Sequence, residues 1–426
     1  MLLTIVVVIL VLLLLNVPVA FAMMFGSGLY FLVNDSFKAE TMTQRALSGV
    51  ESFPLLGIVF FITAGILMNY TGITKRILRF AQVITGHMTG GLGKVNVLLS
   101  VLMGGLSGSN VADAAMQSKI LVPEMVNKGY NKAFAATVTA ASSLITPIIP
   151  PGIALIMYGY IGDVSIGDLF VAGIIPGLLL CVLMFIFVHF SAKKRGFEVE
   201  PIPRATLKET VAASKDALLA ILLPVIIIGG IRLGAFSPTE AGAIAVLYAL
   251  FLGFVVYREM KVKDFIAALK ESIHIIAVVM IIIAAGTAFG WILTLEQVPQ
   301  ALTDMTTSSV NNPYLFLFAV MIFLLIIGMF VEGNVLLIIL TPIFIPMLEA
   351  YNIDPVHFGI FFILCLSVGT ITPPIGTIMF TVCAITKVKI EHFIKELWPL
   401  WIVFVVAILL VAYIPSISML LPNVLE

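Results

Sequence analysis

The sequence predicts an all-α polytopic membrane protein: an inverted repeat with two re-entrant helical hairpins and two Pro-broken helices. Three observations carry this. The 426 residues are 61% hydrophobic and only 11% charged, with mean hydropathy +1.17. Two apolar stretches carry turn-forming residues at their centres. Lysine and arginine gather almost entirely on one side of the resulting topology.

Composition comes first. Soluble domains carry about 25% charged residues. A core cannot absorb the difference, so the solvent is lipid. Lys plus Arg and Asp plus Glu are balanced at 23 each, which argues against a nucleic-acid partner. Cys181, Cys365 and Cys383 all lie in apolar runs without metal-ligand spacing and read as small packing residues.

Apolar stretches fall at 2–32, 52–69, 95–121, 133–160, 168–190, 216–233, 238–257, 272–293, 313–347, 356–385 and 397–421. The first resembles a signal peptide but has no basic n-region, and it is read as one spanning helix. Residues 70–94 and 193–214 read as amphipathic arms on the cytoplasmic surface.

Two stretches do not read as crossings. Segment 95–121 holds Gly104, Gly105, Ser107, Gly108, Ser109 and Asn110 at its centre. These favour turns over helix. Arms of about a dozen residues, at about 1.5 Å per residue, fall short of a core about 30 Å thick. A hairpin entering and leaving on one face fits. Segment 313–347, with Glu332-Gly333-Asn334 in its middle and Pro342 and Pro346 beyond, reads the same way.

With both hairpins returning to their own side and the N-terminus in the cytoplasm, all 23 basic residues except Lys38, Arg45 and Arg232 lie inside. That is the asymmetry of the positive-inside rule. Reading 95–121 as a crossing would put the basic loop 122–132 outside.

Sliding the sequence by 224 positions sets Ser109-Asn110 on Gly333-Asn334, Ser143 on Ser367, Pro150 on Pro374 and Gly152 on Gly376. Residues 1–200 read as the first repeat, with hairpin 95–121 and broken helix 133–160. Residues 201–236 are a linker with a cytoplasmic arm and one spanning helix. Residues 237–426 are the second repeat, with hairpin 313–347 and broken helix 356–385. An odd number of crossings separates the halves, so they face opposite ways. Inverted repeats with discontinuous helices at mid-membrane mark secondary transporters.

The broken helices read SSLITPIIPPGIALIMYG (142–159) and LSVGTITPPIGTIMFTVCA (366–384). Paired prolines free carbonyls, and such backbone survives at this depth only inside protein or along a wet cavity. Carbonyls of Thr146, Thr370 and Thr372 suit Na⁺. Opposed half-helix N-termini suit an anion. The tips add neutral ligands from Ser107, Ser109, Asn110 and Asn334. Asp113 is either a functional carboxylate or a strut capping its own turn. Glu332 faces the cavity or is a solvated outer charge. Enzyme readings fail. No HExxH or paired histidine ligands occur, and Gly91-Leu92-Gly93-Lys94 lacks the spacing and hydroxyl of a phosphate loop. ATP is not the energy source.

The segments GGLSGSNVADAA (104–115), TPIIPPGIALIMYG (146–159), SPTEAGAIAVLYALFLG (237–253), GMFVEGN (328–334), DPVHFGI (354–360) and TPPIGTIMF (372–380) resemble the large membrane subunit of tripartite ATP-independent periplasmic (TRAP) transporters, over essentially the whole chain. The resemblance implies an elevator-type, Na⁺-driven importer of organic acids in the bacterial inner membrane, with its C-terminus periplasmic. Its partners would be a separate small four-helix membrane subunit and a soluble periplasmic binding protein. Sialic-acid systems look most similar. Carried over by position, Ser107, Pro150, Gly152, Glu332 and Pro374 would bind substrate. Ser109, Asn110, Thr146, Gly333, Asn334, Thr370, Thr372 and Gly376 would bind Na⁺. Many members have Ser at the position of Gly152; its absence would make room for an acid bulkier than a four-carbon diacid. The alternatives are a Na⁺/dicarboxylate symporter or exchanger working without a binding protein, a non-transporting assembly factor, and a channel.

Overall fold

The structure, a computed structural model, describes residues 2–15, 17–34, 40–197 and 203–425; the side chains of Leu2, Leu14 and Ser107 and the whole of Lys38 lie outside the described part. Every described regular element is helical. The first half runs α1 (Leu2–Leu14), α2 (Val19–Val33), α3 (Glu40–Ser48), α4 (Leu55–Tyr70), α5 (Ile73–Thr85), α6 (Gly91–Ser107), α7 (Asn110–Asn127), α8 (Lys132–Ser142), α9 (Ile153–Gly162) and α10 (Ile166–Arg195). The second runs α11 (Leu207–Arg232), α12 (Pro238–Phe251), α13 (Val262–Leu295), α14 (Val298–Ser309), α15 (Pro313–Gly328), α16 (Gly333–Tyr351), α17 (Pro355–Gly369), α18 (Thr377–Thr386), α19 (Ile390–Tyr413) and α20 (Ser416–Leu425). Among the described residues, six helices are long and apolar enough to cross a membrane, and α4 with α5 makes a seventh candidate bent by 72°. From α5 and α14 onward the two halves carry the same elements in the same order.

Both expected hairpins fold back on themselves. In the first, α6 packs along α7: Ser100 of one arm bonds Asp113 and Gln117 of the other at 2.7 Å each. In the second, Tyr351 at the end of α16 returns to the start of α15. Its hydroxyl donates to the Val310 carbonyl at 2.7 Å, and its ring stacks on Phe316 at 4.2 Å. The arms of the first hairpin hold 17 and 18 residues rather than a dozen. At about 1.5 Å per residue each reaches about 25 Å, still short of the core.

The broken helices form the centre. Val356–Gly369 of α17 is buried throughout, as is Phe134–Ser142 of α8. Each crossover, 146–152 and 370–376, contains one cis X-Pro bond, Pro150–Pro151 and Pro373–Pro374. The hairpins pack across the halves: α7 lies against α18, and α16 against α9. Each tip, however, packs on its own half's crossover: Gly104 and Gly108 lie against Thr146, Ile149, Pro151 and Ile153, and Gly328 and Gly333 against Leu366, Gly369 and Thr370.

Four sequence expectations change. Segment 2–32 is not one helix: Pro18 starts α2, and α2 folds back so that Gly26 packs on Ile5 and Ile9 of α1. A proline has no N–H to continue the ladder of the helix before it. Residues 193–195 complete α10, and α11 starts at Leu207, so the described residues of 193–214 make no separate arm; 198–202 lie outside the described part. Segment 397–421 breaks before Pro415 into α19 and α20. The helices α3 and α14 escaped notice because both are too polar for a hydropathy reading. The arm at 70–94 does form: α5 turns 72° from α4 and reaches Asp216 of α11 through Arg79 at 3.6 Å.

Candidate ion and substrate site

The two tips close on each other around a cavity of about 140 Å³. Ser109 and Asn110 line it from the first hairpin, and Glu332, Gly333 and Asn334 from the second. Pro147, Ile153 and Ala154 come from the first broken helix, and Ser367, Thr370 and Thr377 from the second. Residues some 220 positions apart meet here because the arms α7 and α16 pack across the halves, on α18 and α9.

Local chemistry shapes each tip. Ser109 caps α7, its hydroxyl accepting from the Ala112 N–H at 3.4 Å, and Asn110 Oδ1 accepts from the Val111 N–H at 2.9 Å. Glu332 caps α16. Its Oε2 accepts from the Val335 N–H at 3.3 Å, and its Oε1 accepts from Asn334 Nδ2 at 2.7 Å. Both caps satisfy N–H groups that a helix start leaves unpaired. Glu332 is thus tied into its tip and is not a solvated outer charge.

Four helix N-termini converge on the cavity, those of α7, α9, α16 and α18. Each brings unpaired N–H groups and a partial positive charge. The crossovers bring the opposite polarity. Around Gly376 the carbonyl oxygens of Thr370 and Thr372 approach so closely that a Cβ there would sit 3.1 and 2.9 Å from them. Gly108 faces the Pro151 carbonyl across 3.2 Å in the same sense. The arrangement offers an anion N–H groups at the cavity, and a cation carbonyl oxygens in and just behind its wall.

Not every sequence-derived residue reaches the cavity. Thr146, Pro150, Gly152, Thr372 and Gly376 stand behind its wall, and Pro374 is exposed away from it. The Ser107 side chain lies outside the described part. The hydroxyls of Thr370 and Thr372 donate to the carbonyls of Ser367 and Val368 at 2.6 and 2.7 Å, which leaves their oxygen lone pairs for a cation, while the Thr370 carbonyl accepts from the Ile378 N–H at 3.0 Å. Gly152 does not open the pocket. A Cβ there would overlap the Pro147 carbonyl, so the crossover fills the space that the sequence assigned to a bulkier acid. Asp113 does not cap its own turn. It is buried, and it ties α7 to Ser100 of α6 and to the Thr146 hydroxyl at 3.0 Å.

The sequence missed one wall entirely. Ile62, Gly65, Ile66 and Asn69 of α4 and Glu271, Ile275 and Val279 of α13 close the cavity from outside the hairpins. Tyr70 braces that wall, its hydroxyl donating to Glu271 Oε2 at 2.9 Å. Thr377 was also missed. Its hydroxyl is buried at the cavity without a partner among the described residues. A polar residue at the first helical position after a paired-proline break was the available signal. For the α4 and α13 wall there was none.

Comparison with known proteins accords with this geometry. Residues 6–417 match the family model described as tripartite ATP-independent periplasmic transporter, DctM component. The chain is 40% identical over 408 residues to the sialic acid TRAP transporter large permease protein SiaM of Vibrio cholerae, covering 96% of this chain and 95% of that one. It is 36% identical to the 2,3-diketo-L-gulonate TRAP transporter large permease protein YiaN of Escherichia coli, covering 95% of each. It is 37% identical to the C4-dicarboxylate TRAP transporter large permease protein DctM of Pseudomonas aeruginosa, covering 88% and 87%. The fold is similar to that of the Alcanivorax borkumensis YdaH transporter, with TM-score 0.59 and 13% identity over 89% of both chains. On this evidence the chain is a multi-pass membrane permease that belongs to the DctM component family of the tripartite ATP-independent periplasmic transporters.

Proposed function

We propose that the chain couples the inward movement of Na⁺ to the import of an organic acid anion across the bacterial inner membrane. The supporting observation is the single enclosure that joins both hairpin tips, both crossovers and four helix N-termini. Crossover carbonyls suit a dehydrated cation, and N-termini suit a carboxylate. Each Na⁺ moving inward through 100 mV contributes about 2.3 kcal/mol, so two or more per substrate support steep accumulation.

Substrate reaches the chain from a soluble periplasmic binding protein, and a small four-helix membrane subunit completes the assembly. Sialic acid is the first substrate to test, given the 40% identical relative. The halves 1–200 and 237–426, joined by 201–236, act as inverted repeats. The hairpins and broken helices move as one body against the remaining helices, α4 and α13 among them, in an elevator stroke. The cytoplasmic face carries the basic loops. The antiparallel α1 and α2 then bring the N-terminus to the outer face beside residue 33, and α20 leaves the C-terminus periplasmic.

The test is uptake of labelled sialic acid by proteoliposomes holding the chain and both partners. An inward Na⁺ gradient is expected to drive it. Equal uptake with K⁺ alone overturns the cation assignment, and full uptake without the binding protein favours a self-sufficient symporter.

A further inference from the structure

The two halves differ behind the first tip. Asp113 is 1% exposed. Its Oδ2 accepts from Ser100 Oγ at 2.7 Å and from Thr146 Oγ1 at 3.0 Å, and its Oδ1 accepts from Gln117 Nε2 at 2.7 Å. Ser100, Gln117 and Thr146 are themselves fully buried. The ion pairs formed among the described residues do not include Asp113. The Gln117 Oε1 atom is buried beside this cluster without a partner among the described residues. The cluster therefore holds a carboxylate and a spare acceptor, and no cationic side chain among the described residues pairs with it.

The second half has no such cluster. The 224-residue offset puts Leu337 opposite Asp113 and Leu324 opposite Ser100. There the Thr370 hydroxyl turns back to the Ser367 carbonyl. A carboxylate buried at membrane depth without a positive partner is strongly unfavourable, and a role confined to packing would be met by leucine, as in the second half. A cation bound nearby would supply that positive charge. The nearest backbone suited to a cation is the first crossover. Thr146 joins the two: its hydroxyl is held by Asp113, and its carbonyl faces Gly104 on the tip, 3.3 Å from where a Cβ would stand.

We propose that Asp113 is a positioning residue for the coupling ion. It supplies the counter-charge for a cation held by the first tip and first crossover, and it acts through the side chain of Thr146. This rests on the Na⁺-coupled reading above. It makes the two ion sites unequal, the first carrying a buried counter-charge and the second drawing on Glu332 at its tip.

The experiment measures half-saturating Na⁺ from thermal stabilisation of the purified full chain, titrated with NaCl at constant ionic strength, and from uptake by the assembled system. Asp113→Asn is expected to raise half-saturating Na⁺ by roughly tenfold or more, because a unit charge is lost in a low-dielectric surrounding. The substrate KM at saturating Na⁺ should stay within about twofold. Asp113→Glu, which keeps the charge at the expense of fit, is expected to retain most of the Na⁺ response even with a lower melting temperature. A purely structural strut gives the reverse order, with Asp113→Asn the milder change and half-saturating Na⁺ unmoved, and that result overturns the proposal. Should Asp113→Asn not fold, Thr146→Val tests the link: a severalfold rise in half-saturating Na⁺ supports it, and an unchanged value overturns it. A parent chain that shows no Na⁺ response at all instead overturns the coupling reading, and this proposal with it.

Discussion

Arg232 Nη1 lies 2.8 Å from Asp168 Oδ1 and ties the end of α11 to the start of α10. Only 20% and 28% of the two side chains is exposed, and Arg232 Nε and Nη2 are buried without other partners among the described residues. Removing the carboxylate leaves a largely desolvated guanidinium. Asp168→Asn is expected to lower stability by about 1–3 kcal/mol, discounted from a fully buried pair because water still reaches both groups. A thermal melt of the detergent-purified protein measures this, and an unchanged melt removes the pair from the stabilising contacts.

Thr377 separates binding from stability. Its hydroxyl is buried at the cavity with nothing to bond among the described residues. Thr377→Val keeps the shape and deletes the hydroxyl. If that hydroxyl meets the substrate, KM rises about tenfold, the loss of one buried hydrogen bond, while the melting temperature holds or rises. A lower melting temperature with unchanged KM assigns the residue to packing.

Gly152 tests the crossover. A Cβ there runs into the Pro147 carbonyl, which is backbone and cannot step aside cheaply. Gly152→Ala is expected to cost about 1–3 kcal/mol from overpacking, with uptake falling in step. If Gly152→Ser instead narrows substrate size without loss of stability, the position belongs to the pocket after all.

Closure of the second hairpin rests on Tyr351. Tyr351→Phe loses one hydrogen bond to Val310, worth about 0.5–1.5 kcal/mol. Tyr351→Ala also loses the stack on Phe316 and is expected to cost about 3–5 kcal/mol. Comparable melts for the two variants would show that the ring contributes little.

Orientation follows from the start of the chain. With α1 folded back on α2, an N-terminal reporter is expected to be accessible from the periplasm, on the side of Arg45 and opposite Lys208. Cysteine labelling in intact cells reads this directly. Protection of the N-terminus alongside position 208 returns residues 2–33 to a single crossing.

The hairpins, the broken helices and the nearness of Ser109, Asn110, Asn334 and Thr370 to one cavity were legible in the sequence. Each is written locally: glycines where no long helix can continue, paired prolines inside apolar runs, and lysines and arginines kept from one face. The 224-residue offset aligned two stretches that carry the same order of helices from α5 and from α14 onward. Local signals of that kind could not reveal that α1 turns back on α2, since the run 2–32 is apolar almost throughout and Asn16 and Pro18 alone mark the bend. Nor could they separate residues that line the cavity from those standing behind it. Thr146 and Thr370 occupy matched positions, yet one hydroxyl reaches a carboxylate of another helix and the other its own helix backbone.

The sequence by itself determined the solvent, the discontinuous elements and the family, because these depend on hydrophobic length, on backbone donors lost at proline and on motifs read in order. Only the tertiary structure decided that α7 packs on α18 and α16 on α9, that α4 and α13 supply the facing wall, that a carbonyl fills the space beside Gly152, and that Asp113 is held by three uncharged side chains. Those follow from how helices distant in the chain pack against one another, which no local pattern encodes.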